Sequence, residues 1–152
     1  MTLAAAAALA SAAALAPAAQ AAQAPAAASA AWGPVHAPGR GATASGALTV
    51  TGEDHADLPT ADRVRIWGKV TDNTRGAKCG WAVFRITYRS GNNLPNRNHA
   101  VRDCSYRTPK HFSVKHRDVY QVELKVCAEG KAAKPSLNCL YAGTWKTLYL
   151  SK

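Results

Sequence analysis

The sequence predicts an all-β domain: a small antiparallel β-sandwich, or a partly open barrel, of six to seven strands with two disulfides. Three observations point to it. From Leu48 onward apolar residues recur at every second position, not every 3.6. Turn-forming residues cut these alternating runs into short lengths. Four cysteines, none in a C-x-x-C pair, stand in a short chain. Alternation with one apolar face implies antiparallel strands, each with one side against a core.

Taken in order, Leu48 and Val50 mark the first strand. Val64, Ile66 and Val70 then alternate with Arg65, Trp67 and Lys69. Ala82, Phe84, Ile86 and Tyr88 alternate with Trp81, Val83, Arg85, Thr87 and Arg89. Phe112 and Val114 form a short stretch, and Tyr120, Val122, Leu124 and Val126 alternate with Gln121, Glu123 and Lys125. The run from Trp145 to Leu150 closes the series. Asp72-Asn73 with Gly76, Gly91-Asn92-Asn93 with Pro95, Pro109, and Gly130 to Pro135 supply the turns. No window carries a sustained helical stripe with caps. Residues 64–71 and 81–89, joined by a short connection, are expected to pair as an antiparallel hairpin.

Composition divides the chain. Of its 152 residues, the early stretch 3–31 is mostly alanine, and every charged residue falls at Arg40 or later. Leu3 to Ala16 has the length of a signal-peptide apolar region, and Ala19-Gln20-Ala21 offers the small-x-small cleavage pattern. No Lys or Arg follows Met1, so the charged start of such a peptide is missing. The run is shorter than the roughly 20 residues a membrane span needs, so no stable anchor is expected. The expected organisation is a signal peptide over 1–21, a disordered Ala/Pro/Gly-rich lead over 22–46, and a basic β-domain over 47–152. Such a protein would be secreted.

Cys79, Cys104, Cys127 and Cys139 fit an exported disulfide framework. Pairing of Cys79 with Cys104 and Cys127 with Cys139 is favoured, because sequential pairs close short loops between neighbouring strands. Cys79–Cys127 with Cys104–Cys139 is the alternative. Each loop would stabilise by ~3 kcal/mol on the chain-entropy model. A metal site is not expected: His111 and His116 are five apart and so on opposite faces of a strand.

The Val64-Arg65-Ile66-Trp67-Gly68-Lys69-Val70 strand, the Cys-led strand Cys79 to Tyr88, and the late Val126-Cys127 with a second cysteine a dozen residues on form a layout. That layout resembles small uncharacterised secreted proteins of actinobacteria with an alanine-rich signal and four cysteines. The resemblance spans residues 60–145 and implies export and a β-fold, with no activity.

No G-x-S-x-G elbow, H-E-x-x-H, Gly-rich phosphate loop or S-x-x-K occurs. Asp103, Ser105 and His111 have the residue types of a triad, but nothing implies an oxyanion donor beside Ser105. Asp118 and Glu123 fall on opposite strand faces, and His36, His55 and His99 fall in expected loops. Neither enzymatic activity nor a cofactor is therefore expected. The charge is more informative. Net charge is +10, and from Arg63 onward 18 Lys and Arg face 5 Asp and Glu. The preceding segment, with Glu53, Asp54, Asp57 and Asp62, is acidic. In the expected hairpin, Arg65, Trp67, Lys69, Trp81, Arg85 and Arg89 share one outward face. Guanidinium groups grip phosphate or sulfate, and indoles stack on bases or sugar rings. The alternative places both indoles in a core, with Arg stems packed over them. The expected partner is an extracellular polyanion: a cell-envelope component, nucleic acid or glycan. The other function considered is a secreted inhibitor or toxin-like protein, acting on another protein through the loop between Cys127 and Cys139.

Overall fold

The computed structural model describes residues 27–152; the expected signal peptide and the start of the expected lead lie outside the described residues. Among the described residues seven strands form: β1 (Ala28–His36), β2 (Ala42–Glu53), β3 (Ala61–Asp72), β4 (Lys78–Tyr88), β5 (Asn96–Asp103), β6 (Lys110–Gly130) and β7 (Lys146–Leu150). One 3-10 turn spans Pro38–Arg40, and a short helix, α1, spans Leu137–Tyr141. All strand pairings are antiparallel, in the order β1-β2-β3-β6-β4-β5, with β7 on β6. The sheet does not close.

β6 is the hinge of this arrangement. Its first half pairs with β3 from Lys110 to Val119, and its second half pairs with β4 from Val119 to Gly130. Val119 partners both Ala61 of β3 and Tyr88 of β4. The sheet therefore folds over along β6, and its two arms share one core. Val64, Ile66 and Val70 from one arm and Ala82, Phe84, Ile86, Val122 and Leu124 from the other are all buried in a single cluster. Burying such a side chain stabilises by roughly 1.5–3 kcal/mol relative to exposure.

The structure differs from the sequence expectation at three places. The runs around Phe112 and Tyr120–Val126 are one strand, β6, not two. The hairpin between residues 64–71 and 81–89 does not form, because β6 lies between β3 and β4. Side-by-side pairing would lay both apolar faces on the same side of one sheet; folding at β6 instead sets them against each other. The domain also begins before residue 47. β1 and the start of β2 occupy part of the supposed lead. Their Ala, Ser and Gly residues carry little hydrophobic signal, yet Trp32 supplies the burial. Its ring meets Phe84 edge-on at 5.8 Å and stacks on Phe112 at 6.3 Å. It lies over Gly46, where an added Cβ would come within 2.7 Å of the indole. Gly46 pairs with Gly68, so β2 and β3 approach closely beneath the ring.

Both disulfides follow the favoured pairing, Cys79–Cys104 and Cys127–Cys139. β4 is buried on both faces. Its even positions join the main core, while Trp81 and Val83 pack with Cys127 and Cys139 under Leu140 and Trp145. The segment after Cys127 thus roofs the outer face of β4 and β6. No described helix is long and apolar enough to cross a membrane.

Candidate functional site: a cationic sheet face

The outer face of β3 and the first half of β6 gathers the cations. On β3, Arg63, Arg65 and Lys69 are exposed and alternate with the fully buried Val64, Ile66 and Val70. On β6, His111, Ser113, Lys115 and Arg117 are exposed and alternate with the inward Phe112, Val114 and His116. Antiparallel register sets these rows directly opposite each other: Arg63 against Arg117, Arg65 against Lys115, Trp67 against Ser113, Lys69 against His111. The next strand contributes only neutral groups, with Thr51, Thr49, Ala47 and Ser45 across from Arg63, Arg65, Trp67 and Lys69. Among the described residues, none of these five Lys and Arg side chains forms an ion pair. The Arg65 guanidinium lies over the half-buried Trp67 ring at 5.4 Å, and its Nε donates to Ser113 Oγ at 3.1 Å.

Of the residues expected on one face, Arg65, Trp67 and Lys69 lie here. Trp81, Arg85 and Arg89 do not, since they belong to the other arm. Trp81 is buried, with Arg102 at 5.6 Å over its ring, as the core alternative anticipated. Arg85 is held by Glu123 at 2.7 Å and lies 4.4 Å over Trp145. Arg89 pairs with Asp54 at 2.5 Å and donates to the Leu58 carbonyl at 2.9 Å. The Thr60 backbone N–H, then Arg89, hold the Asp54 carboxyl down at about 2. Asp54, from the acidic segment, is thus paired with a cation of the basic domain. Arg63, Lys115 and Arg117 join the face without being among the residues the sequence marks for it. Their alternation with apolar neighbours was visible, but which strand lay beside β3 was not.

The remaining polar clusters are structural. Lys125 is buried, and its ammonium donates to the carbonyls of Leu140, Ala142 and Gly143 at 3.2, 2.6 and 3.3 Å. It also lies 5.0 Å over Trp145, and burial followed by the nearby Arg85 lowers its pKa. All three ammonium donors are thereby used to pin the roof segment. Asp103 accepts from the backbone N–H of Asp72 and Ser105, both at 3.0 Å, while His111 stands on the cationic face, so no triad assembles. His36 ends β1 and bonds Thr43, and His55 bonds the Lys152 carbonyl at 2.9 Å. His99 lies within β5, not a loop, half-buried against His116. No group of three metal-ligating side chains occurs among the described residues.

No protein-family model matches the chain, and neither do any curated protein or solved structure.

Proposed function

We propose that this is a secreted cationic binding module for anionic polymers, with the outer face of β3 and β6 as its binding surface. The observation that carries this is the run of like charges placed directly across from one another without a carboxylate between them. Like charges directly opposite on a sheet oppose pairing, so the bare face carries a cost that a bound polyanion would relieve. Guanidinium and ammonium groups in two rows suit phosphate or sulfate, with Arg the better bidentate partner. The two disulfides suit an oxidising compartment, which supports export.

The test is retention on heparin or DNA resin under a salt gradient. Arg65→Glu/Lys115→Glu should elute at much lower salt than the wild type. Lys131→Glu/Lys134→Glu, with the same change in net charge on an exposed loop, should elute much closer to the wild type. Coincident elution of the two doubles would reduce the effect to net charge and end the surface proposal.

A second reading keeps one supporting observation. The loop between Cys127 and Cys139 is preorganised: Glu129 accepts from the Ser136 N–H and hydroxyl at 2.7 and 2.5 Å, and Arg102 donates to the Ala132 carbonyl. Beside it, α1 leaves Leu137 and Tyr141 largely exposed. An inhibitor or toxin-like protein would use such a knob against a protein target. Loss of target inhibition on reducing the 127–139 bridge would be its signature.

A further inference from the structure

A second cationic-aromatic cluster stands at one end of the strip. Val70 pairs with Lys110, and two residues further along β3 Asp72 bridges to Tyr106. Tyr106 is partly exposed, and two guanidiniums lie over its ring, Arg75 at 5.2 Å and Arg107 at 5.1 Å. The backbone around them is fixed. Arg107 donates its N–H to the Asp72 carbonyl at 2.7 Å, and the Cys79–Cys104 bridge closes just before it. The nearby carboxylates are already engaged: Asp72 accepts from the Thr74 N–H and hydroxyl, Asp103 from Asp72 and Ser105. Neither Arg75 nor Arg107 forms an ion pair among the described residues.

We infer that the strip and this cluster form one track for a single-stranded nucleic acid, with phosphates on the cations and bases stacked at Trp67 and Tyr106. This rests on the polyanion-binding reading and names its ligand. At both nodes cations accompany a flat ring, Arg65 and Lys69 beside Trp67 on its own strand and Arg75 and Arg107 over Tyr106; a base takes the place of a guanidinium on the ring as that guanidinium turns to a phosphate. That alternation of ring and charge matches the alternation of base and phosphate in a strand whose bases are free to splay. A duplex hides its ring faces in its own stack and offers only groove edges. From Trp67 to Asp72, which bridges to Tyr106, the two nodes stand about 17 Å apart at ~3.3 Å per residue, so a strand of several nucleotides is needed to reach both.

The experiment is fluorescence anisotropy with labelled oligothymidylates of about 3 nucleotides, too short to reach both nodes, and about 16, on wild type and Arg75→Gln/Arg107→Gln. The double variant should bind the long oligomer at least tenfold more weakly and the short one nearly as wild type does. Its log K against log salt slope on the long oligomer should be shallower by about 1.4, since each phosphate contact on a single strand contributes ~0.7. An unchanged thermal midpoint shows that the variant is folded; if the midpoint falls, Arg75→Lys/Arg107→Lys, which keeps the charges, should retain most of that slope. If the wild type binds neither oligomer nor heparin at low salt, the polyanion reading itself fails. If the wild type binds but the variant loses the same factor at both lengths, or none, the extended track is overturned while the strip remains. Equal affinity for a duplex of the same length overturns the single-strand assignment.

Discussion

His116 and His99 show how much a single side chain can weigh here. Their rings meet edge-on at 6.2 Å, and both His116 ring nitrogens are buried with no hydrogen-bond partner among the described residues. Burial first, then Arg97, lowers the pKa of both, and for His116 the neighbouring His99 adds to it. The charged group facing the pair is Arg97 on β5, itself stacked on Tyr88 at 4.9 Å. With folded-state values below the unfolded ~6.5, protonation favours the unfolded chain. Stability is therefore complete above that pH and falls as pH drops from it through the folded values. The thermal midpoint should fall between pH 7 and pH 5, and His116→Leu should shrink that fall. An equal fall in the variant would remove this pair as its source. The Asp54 carboxyl acts elsewhere on the scale: its stabilising contribution is lost only as pH falls from the ordinary carboxylate range toward about 2.

At the scale of the element, β6 does most to shape the domain. Its bend comes at Asp118, whose φ of 53° lies in the left-handed region, and the ladder with β4 slips between Thr87 and Tyr88 beside it. The inward set changes parity there, from Phe112, Val114 and His116 to Val119 and then Val122, Leu124 and Val126. An irregularity of this kind re-aims a strand and turns a sheet corner. Aspartate tolerates that backbone better than most residues; a β-branched side chain does not. Asp118→Val should destabilise by about 1–2 kcal/mol, while Asp118→Gly should be neutral or stabilising. Urea midpoints at unchanged slope would measure this. A harmless valine would mean that the corner is held by the neighbouring ladders instead.

Across the whole molecule, the bridge at Cys127–Cys139 joins the second arm to its roof. Without it, α1 and Trp145 depend on the Lys125 ammonium and on the cover they give Trp81 and Val83. Cys127→Ala/Cys139→Ala should cost about 3 kcal/mol on the chain-entropy model and shift tryptophan emission to the red as Trp81 meets water. The cationic face, on the other arm, should keep its retention on heparin. Loss of both together would mean that the arms are not separable.

Much of this was legible along the chain. The two-residue rhythm of Val64-Arg65-Ile66 or Val122-Glu123-Leu124 specifies which side of a strand meets the core, because successive side chains point to opposite faces of any strand. The same local logic yields the all-β class, the short-loop disulfides and the basic character. Strand neighbours are another matter. A period of two says nothing about which strand lies alongside, and that choice is made by long-range burial: β3 and β4 press their apolar faces together across a fold in β6 instead of pairing. Hence Arg65 stands opposite Lys115 with no carboxylate between them, whereas Arg85 meets Glu123 on the neighbouring strand, 38 residues away. Two arginines with similar sequence surroundings thus differ in availability, because the charge beside each is set by which strands come to lie together.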